Sequence, residues 1–275
     1  MARSTGFEGV KIYILTDMEG VGGVVNRSQV SAGNPAYEKT REWLTLEVNA
    51  AVEGAIEGGA TGILVLDGHG ANSAVNLLYE KLHPGARYIQ GTPWAEYLQS
   101  LDSSFDGMFQ IGAHAMAGTA GAVLEHTMSS ESWVQMLVNG RPMGEIGLCA
   151  AVAGDFEVPF IMVSGDDKAC AESAELSPGL ECAEVKKGIS RHCANLMPME
   201  PVHWLIRGKA KEAMRKARSI RPVKIKPPVE IQIEYFRNES VDAIREREGV
   251  RKIGPRTVVF KGKSVVEAFR RVIGG

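Results

Sequence analysis

The run Val10-Lys11-Ile12-Tyr13-Ile14-Leu15-Thr16-Asp17-Met18-Glu19-Gly20 constrains the fold more than any other stretch. Apolar and β-branched residues fill it from Val10 to Leu15, as in a strand covered on both faces. Strands of that kind belong to parallel sheets flanked by helices. Asp17 and Glu19 follow two apart, so an extended chain turns both carboxylates to one side. Converging carboxylates repel each other unless a proton or a cation lies between them. An isolated Asp-x-Glu is more often a solvated acidic loop, so a metal at this strand end needs support from the rest of the chain.

The following segments complete a β-helix-β unit. Asn34-Pro35 reads as an N-cap with proline at the first helical position. The helix extends over 35–57, with an apolar stripe of Tyr37, Leu44, Val48, Ala51, Val52, Ala55 and Ile56, and Gly58-Gly59 stops it. A second buried strand over 61–66 closes in Asp67-Gly68-His69-Gly70. Parallel neighbours would bring Asp17 and His69 to the same edge of the sheet, where ligands bind in α/β proteins.

The pattern continues with a strand over 87–90, a short helix over 95–101 and a strand over 105–112 that runs into Ala113-His114. A loop of small residues leads to Glu125-His126. A strand over 133–138 then meets the tight-turn pair Asn139-Gly140. A helix opening near Arg141 and reaching Ala153, a strand over 159–164 ending in Gly165-Asp166-Asp167, a helix over 168–176 and a strand over 181–186 complete the first block. Composition shifts after residue 195. A basic amphipathic helix over 198–219 presents Lys209, Lys211, Arg215, Lys216 and Arg218 as a solvated face. A strand over 229–236, a helix over 240–248, a strand over 257–260 and a helix over 264–273 follow. The expected architecture is α/β: a mostly parallel sheet with helices on both faces over 1–195, and a smaller C-terminal α+β unit over 196–275.

The totals exclude several classes. Thirty-one basic residues against 33 acidic ones give a net charge of −2, which recommends no nucleic-acid partner. No apolar run approaches the ~20 residues of a membrane span, and residues 1–8 hold no apolar leader. Cys149, Cys170, Cys182 and Cys193 are scattered without a CxxC pair. Neither a disulfide framework nor a thiolate zinc site is expected, and a cytoplasmic location fits.

Chemistry collects at predicted strand ends. His69 and His114 join the paired carboxylates there, and His126 lies in the loop that follows. Imidazole with carboxylate suits zinc, or less specifically manganese or iron. A mononuclear site would need three or four of Asp17, Glu19, His69, His114 and Glu145. Five candidates, two of them from one turn, point to two metals sharing a carboxylate. Asp67 reads either as a turn residue or as a partner that orients an imidazole.

Thr16-Asp17-Met18-Glu19-Gly20, Asp67-Gly68-His69, Gly112-Ala113-His114, Glu125-His126-Thr127-Met128 and the run from Asn139 to Gly147 stand in an order that resembles the D-aminopeptidase family M55. Lys81-Leu82-His83-Pro84 and Val163-Ser164-Gly165-Asp166-Asp167-Lys168 also resemble family segments. The resemblance covers roughly 10–190 well and the tail more loosely. It implies hydrolysis of an N-terminal residue, a D-amino acid, from short peptides or amino-acid amides, with hydroxide supplied at two zinc ions per chain. It implies Asp17 as the bridge, Glu19, His69, His114 and Glu145 as the other ligands, and His126 as the catalytic residue, a base or a nucleophile. It further implies a homo-oligomer, a decamer, enclosing the active sites. The segment from His114 to His126 is one residue longer than the family's pattern, which concerns the substrate-facing loop. Asp166 is either the cap of the helix that follows or a carboxylate for the substrate amine.

Three other readings compete. A haloacid-dehalogenase-like, Mg-dependent phosphatase also starts with an apolar strand and DxD, but here the second acid is Glu19 and the histidines would have no role. A dinucleotide site is weaker, because Val25 stands where GxGxxG needs its third glycine. A non-enzymatic, metal-stabilised binding or assembly protein would instead keep a closed coordination sphere.

Overall fold

The computed structural model describes residues 9–70 and 75–274. Residues 1–8, read above as lacking a leader, lie outside the described residues. In chain order the elements are β1 (Val10–Thr16), α1 (Pro35–Glu57), β2 (Ala60–Asp67), β3 (Arg87–Ile89), β4 (Gly107–Ala113), β5 (Trp133–Val138), β6 (Arg141–Pro142), α2 (Glu145–Asp155), β7 (Phe160–Asp166) and α3 (Asp167–Leu176). There follow β8 (Glu181–Ser190), β9 (Cys193–Leu196), α4 (Met199–Lys216), β10 (Val229–Tyr235), α5 (Asn238–Asp242), β11 (Val250–Gly254), β12 (Thr257–Gly262) and α6 (Val265–Ile273).

Among the described residues these strands form two sheets. The first has seven strands in the order β3-β2-β1-β4-β7-β8-β9, parallel throughout except for the β8–β9 pair. Strand β1 sits between β2 and β4, with Thr16 level with Asp67 on one side and Ile111 on the other. The chain leaves β1 toward β2 and later returns on the opposite side to β4. That reversal leaves a crevice at the carboxyl ends of the strands. The β1 residues Ile12, Tyr13 and Ile14 are completely buried, as expected of a strand covered on both faces.

Helices flank this sheet. Asn34 caps α1 through the Ala36 amide, and Pro35 opens it. Leu44 and Val48 are fully buried on its inner face, which stabilises by about 2 kcal/mol each. The approach of α4 depends on Gly54, where a Cβ would lie 2.2 Å from the Arg207 carbonyl oxygen. The basic face of α4 is not simply solvated. Arg207 and Lys211 pair with Glu57 on α1, and Lys209 and Lys216 pair with Glu181 on β8.

The second sheet is antiparallel, in the order β11-β12-β10-β5-β6. Asn139 and Gly140 make the turn between β5 and β6 with φ of 48° and 77°, as the Asn-Gly pair predicts. The expected division after residue 195 does not follow the sheets. Strands β5 and β6 precede it yet belong to the second sheet, and α4 follows it yet packs along α1 and β8.

Other local expectations also shift. Residues 95–101 are not helical: Leu98 and Ser100 take positive φ. The Ala95 amide goes to the Gln99 side chain, and the Gln99 carbonyl accepts from the Tyr13 hydroxyl. The helix expected over 240–248 is only the short α5. Strands β9 and β11 were not expected, because each is short and alternates with polar residues at a sheet edge.

Candidate metal centre

Three adjacent strands deliver the predicted residues. Asp17 and Glu19 follow β1, His69 follows β2 and His114 follows β4, all at the carboxyl edge. The loop after β1 is pressed against the end of β4. The Asp17 amide donates to Ile111 and the Gly20 amide to Gly112. A Cβ on Gly20 would lie 2.0 Å from the Ala113 carbonyl oxygen, so only glycine fits there.

Glu145 and His126 arrive from less regular structure. Glu145 is the first residue of α2, and its Oε1 accepts from the Met128 amide at 2.6 Å. The long loop between β4 and β5 carries His126 and is stapled by side chains. Thr127 accepts from the Ala117 amide, Glu172 from the Met116 amide and Asp166 from the Val123 amide.

These residues form two adjacent triads, Asp17–Glu19–His69 and His114–His126–Glu145, with the donor atoms in each within 4.8 Å of one another. His69 Nδ1 lies 3.0 Å from Asp17 Oδ1 and 3.1 Å from Glu19 Oε2. His114 Nε2 lies 3.3 Å from both Asp17 Oδ2 and Glu145 Oε1. His126 Nε2 is 3.7 Å from Glu145 Oε1. Asp17 therefore turns one oxygen toward each triad.

Backbone carbonyls fix all three imidazoles. His69 Nε2 faces the Val30 carbonyl at 2.8 Å, His114 Nδ1 that of Ala115 at 3.0 Å, and His126 Nδ1 that of Leu124 at 2.9 Å. A carbonyl oxygen only accepts, so those nitrogens carry the protons. In each neutral ring the other nitrogen then offers its lone pair to the carboxylates. This is how ligating histidines are oriented in metal sites.

The charges make the same point. Burial, then repulsion from Glu19, raises Asp17 to about 7. For Glu19 burial acts upward, but attraction to His69 prevails and holds it well below the ordinary range. For Glu145 burial is likewise outweighed by His114, so its carboxyl also falls. Burial opposes a charged imidazole at His69 and at His114, yet Glu19 and Glu145 respectively outweigh it and both rise well above the usual value. His126 falls instead, through burial and then the positive charge of His114. In the metal-free chain, protons on His69 and His114 supply the positive charge that this cluster of carboxylates requires. Glu19 Oε2 and His114 Nε2 are nevertheless buried with no partner beyond these ion-pair contacts. Orphaned donors of this type among oxygen and nitrogen ligands fit a divalent zinc-like ion.

Two sequence candidates belong elsewhere. Asp67 does not orient an imidazole. It accepts from the amides of Asn76 and Leu77 and from the Asn76 and Gln90 side chains, which anchors the chain ahead of β3. Asp166 is the cap of α3, taking the Lys168 and Ala169 amides on one oxygen and Val123 on the other, so it is not free for a substrate amine. Sequence reasoning missed Lys186 and Glu47, both buried beside the loop after β1. Burial lowers the Lys186 ammonium to about 8 and raises the Glu47 carboxyl to about 7. Their only signal in the sequence was a charge within an otherwise apolar face, as at Glu47 beside Leu44 and Val48.

Fold and cluster together define an α/β protein with a two-part carboxylate–imidazole centre at its topological switch point. A family profile described as D-aminopeptidase matches residues 10–273. A D-aminopeptidase of Bacillus subtilis strain 168 is 34% identical over 267 residues, spanning 96% of each chain. A solved zinc-dependent D-aminopeptidase from Bacillus subtilis, described as a self-compartmentalizing protease, superposes with a TM-score of 0.90 at 33% identity, again over 96% of each chain. The chain belongs to the D-aminopeptidase family M55.

Proposed function

We propose that this chain is a zinc-dependent aminopeptidase that removes the N-terminal residue, a D-amino acid, from short peptides or amino-acid amides. The observation that carries the reading is the pair of triads joined by Asp17, with every imidazole held by a backbone carbonyl. Two metals would be held by Asp17 as the bridge, Glu19 and His69 on one side, and His114 and Glu145 on the other. Bound zinc would supply a Lewis acid and lower the pKa of water toward neutrality.

His126 is assigned the proton. Its Nδ1 is fixed by Leu124, its Nε2 faces the centre beside Glu145, and its lowered pKa keeps it neutral and able to accept near pH 7. It would then deliver that proton to the leaving amine. The preference for a D-residue is supported by the names of both relatives. Neither the phosphatase nor the non-enzymatic reading has comparable support.

A homo-oligomer, a decamer by the family resemblance, is part of the same proposal. The self-compartmentalizing relative supports self-association, and so do exposed apolar residues along the β9 edge and α4: Leu196, Met199 and Trp204. Among the described residues no helix is long and apolar enough to cross a membrane, and all four cysteines are free. The free thiols support a cytoplasmic location. Metal analysis of the purified chain, with hydrolysis of paired D- and L-aminoacyl amides and dipeptides, tests the reading. Two zinc ions per chain and faster D-cleavage are expected; a metal-free protein inactive on both series overturns it.

A further inference from the structure

Lys186 lies on β8 with only 2% of its surface exposed. Its Nζ donates to three main-chain carbonyls, those of Glu19 at 2.6 Å, Val21 at 2.8 Å and Val24 at 2.6 Å. An ammonium has three N–H donors, so each carbonyl takes one. The loop reverses after Glu19, and its carbonyls converge on one point inside the protein. A buried carbonyl without a donor costs about 1–3 kcal/mol, so a compact cation with three donors suits this position. From α1, Glu47 holds the same loop on its donor side: its Oε1 accepts from the Gly22 amide at 2.8 Å. The loop is thus tied at carbonyls by a cation and at an amide by a carboxyl. The Gly20 amide is bound to Gly112 as well.

We propose that Lys186 is a positioning residue for the Glu19 carboxylate: by gripping the carbonyls of Glu19, Val21 and Val24 it sets the Asp17–Glu19–His69 half of the centre for its metal. Glu47 assists through Gly22. The inference rests on the functional reading above, in which that triad receives zinc. The other half of the centre stands on β4, the loop after it and α2, to none of which the Lys186 ammonium donates a hydrogen bond. Because the lysine grips the Glu19 carbonyl and not Asp17, its loss acts chiefly on the metal that Glu19 and His69 would hold. Partners of this kind, one step removed from a ligand, are worth 10–100-fold in metal affinity.

The test is zinc competition titration on the full chain, comparing wild type with Lys186→Met, alongside thermal melting. Methionine keeps a long unbranched side chain and removes the donors. Wild type should bind two zinc ions. Lys186→Met should fold, retain one zinc at wild-type affinity and bind the second 10–100-fold more weakly. Unchanged affinity at both sites, or equal weakening of both, overturns the inference alone. A wild type that binds no zinc overturns the functional reading and this inference with it. If Lys186→Met does not fold, Glu47→Ala leaves the lysine in place and frees Gly22. It should weaken the same single zinc several-fold, and wild-type affinities in that variant overturn the inference.

Discussion

His114 and His126 stack ring on ring, with centroids 4.0 Å apart and planes 13° from parallel. Two imidazolium ions cannot share that geometry without strong repulsion. Glu145 and Asp17 hold positive charge on His114, and His126 is pushed the other way. The stack divides two chemically identical side chains into one placed where the carboxylates call for positive charge, from a proton or, in its place, a metal ion, and one kept neutral.

That division predicts the outcome of His126→Ala. Turnover should fall by roughly 10²–10⁴-fold, the usual contribution of a positioned acid–base group. Both zinc ions should stay, because His126 Nε2 stands farther from Glu145 than His114 Nε2 does. Zinc content and kcat measured on the same preparation decide it. Loss of a metal together with activity would make His126 a ligand.

Asp17→Ala should have the opposite signature. Its Oδ1 faces His69 and its Oδ2 faces His114, so both triads lose an oxygen at once. The zinc-to-protein ratio after dialysis should drop well below that of wild type, whereas Glu19→Ala should cost one metal only. Two tightly held ions in Asp17→Ala would refute the bridging role.

Asp17, Glu19, His69 and His114 were legible because position along the chain gave position in space. Each follows an apolar run, and parallel strands place all such ends on one edge. Glu145 was not legible in that way. It opens a helix beyond a hairpin, so residue type made it a candidate but no strand end placed it, and the resemblance to family M55 made it a ligand. Lys186 was invisible because its role depends on a loop 162–167 residues away whose carbonyls turn inward. The failed helix over 95–101 has a similar cause: Leu98 is buried and the Tyr97 hydroxyl reaches Cys149, so tertiary contacts override helical spacing.

The close packing of the loop after β1 against β4 can be tested at Gly112. Its φ is +78°, and a Cβ would lie 2.0 Å from the Asp17 carbonyl oxygen. Gly112→Ala therefore combines backbone strain with a clash against main chain, which has no rotamer to move. A loss of about 2–4 kcal/mol is expected from urea unfolding. Gly118 is the control: its φ is +84° but nothing lies within 4 Å of its Cβ position. Gly118→Ala should cost only about 1 kcal/mol. Equal losses would mean that the contact with Asp17 carries no energetic weight.

Glu47 connects stability to pH. Its carboxyl is raised by burial from an ordinary 4.5 to about 7, against the pull of the Gly22 amide and the Lys186 charge. Between those values the unfolded chain has lost the proton and the folded chain still holds it. The group therefore favours the folded state most fully below about pH 4.5, and that contribution declines as pH rises toward 7. One proton corresponds to about 1.4 kcal/mol per pH unit. Glu47→Gln keeps an oxygen for the Gly22 amide and removes the titration. Groups of the metal centre titrate in both proteins and cancel in the difference. Urea unfolding at several pH values should show wild type losing stability relative to Glu47→Gln by roughly 1 kcal/mol or more per unit across this window. Above about pH 7 the difference should level off. A flat difference from acid to neutral pH would mean that Lys186 holds Glu47 ionised throughout, and that the two form a buried ion pair across the loop.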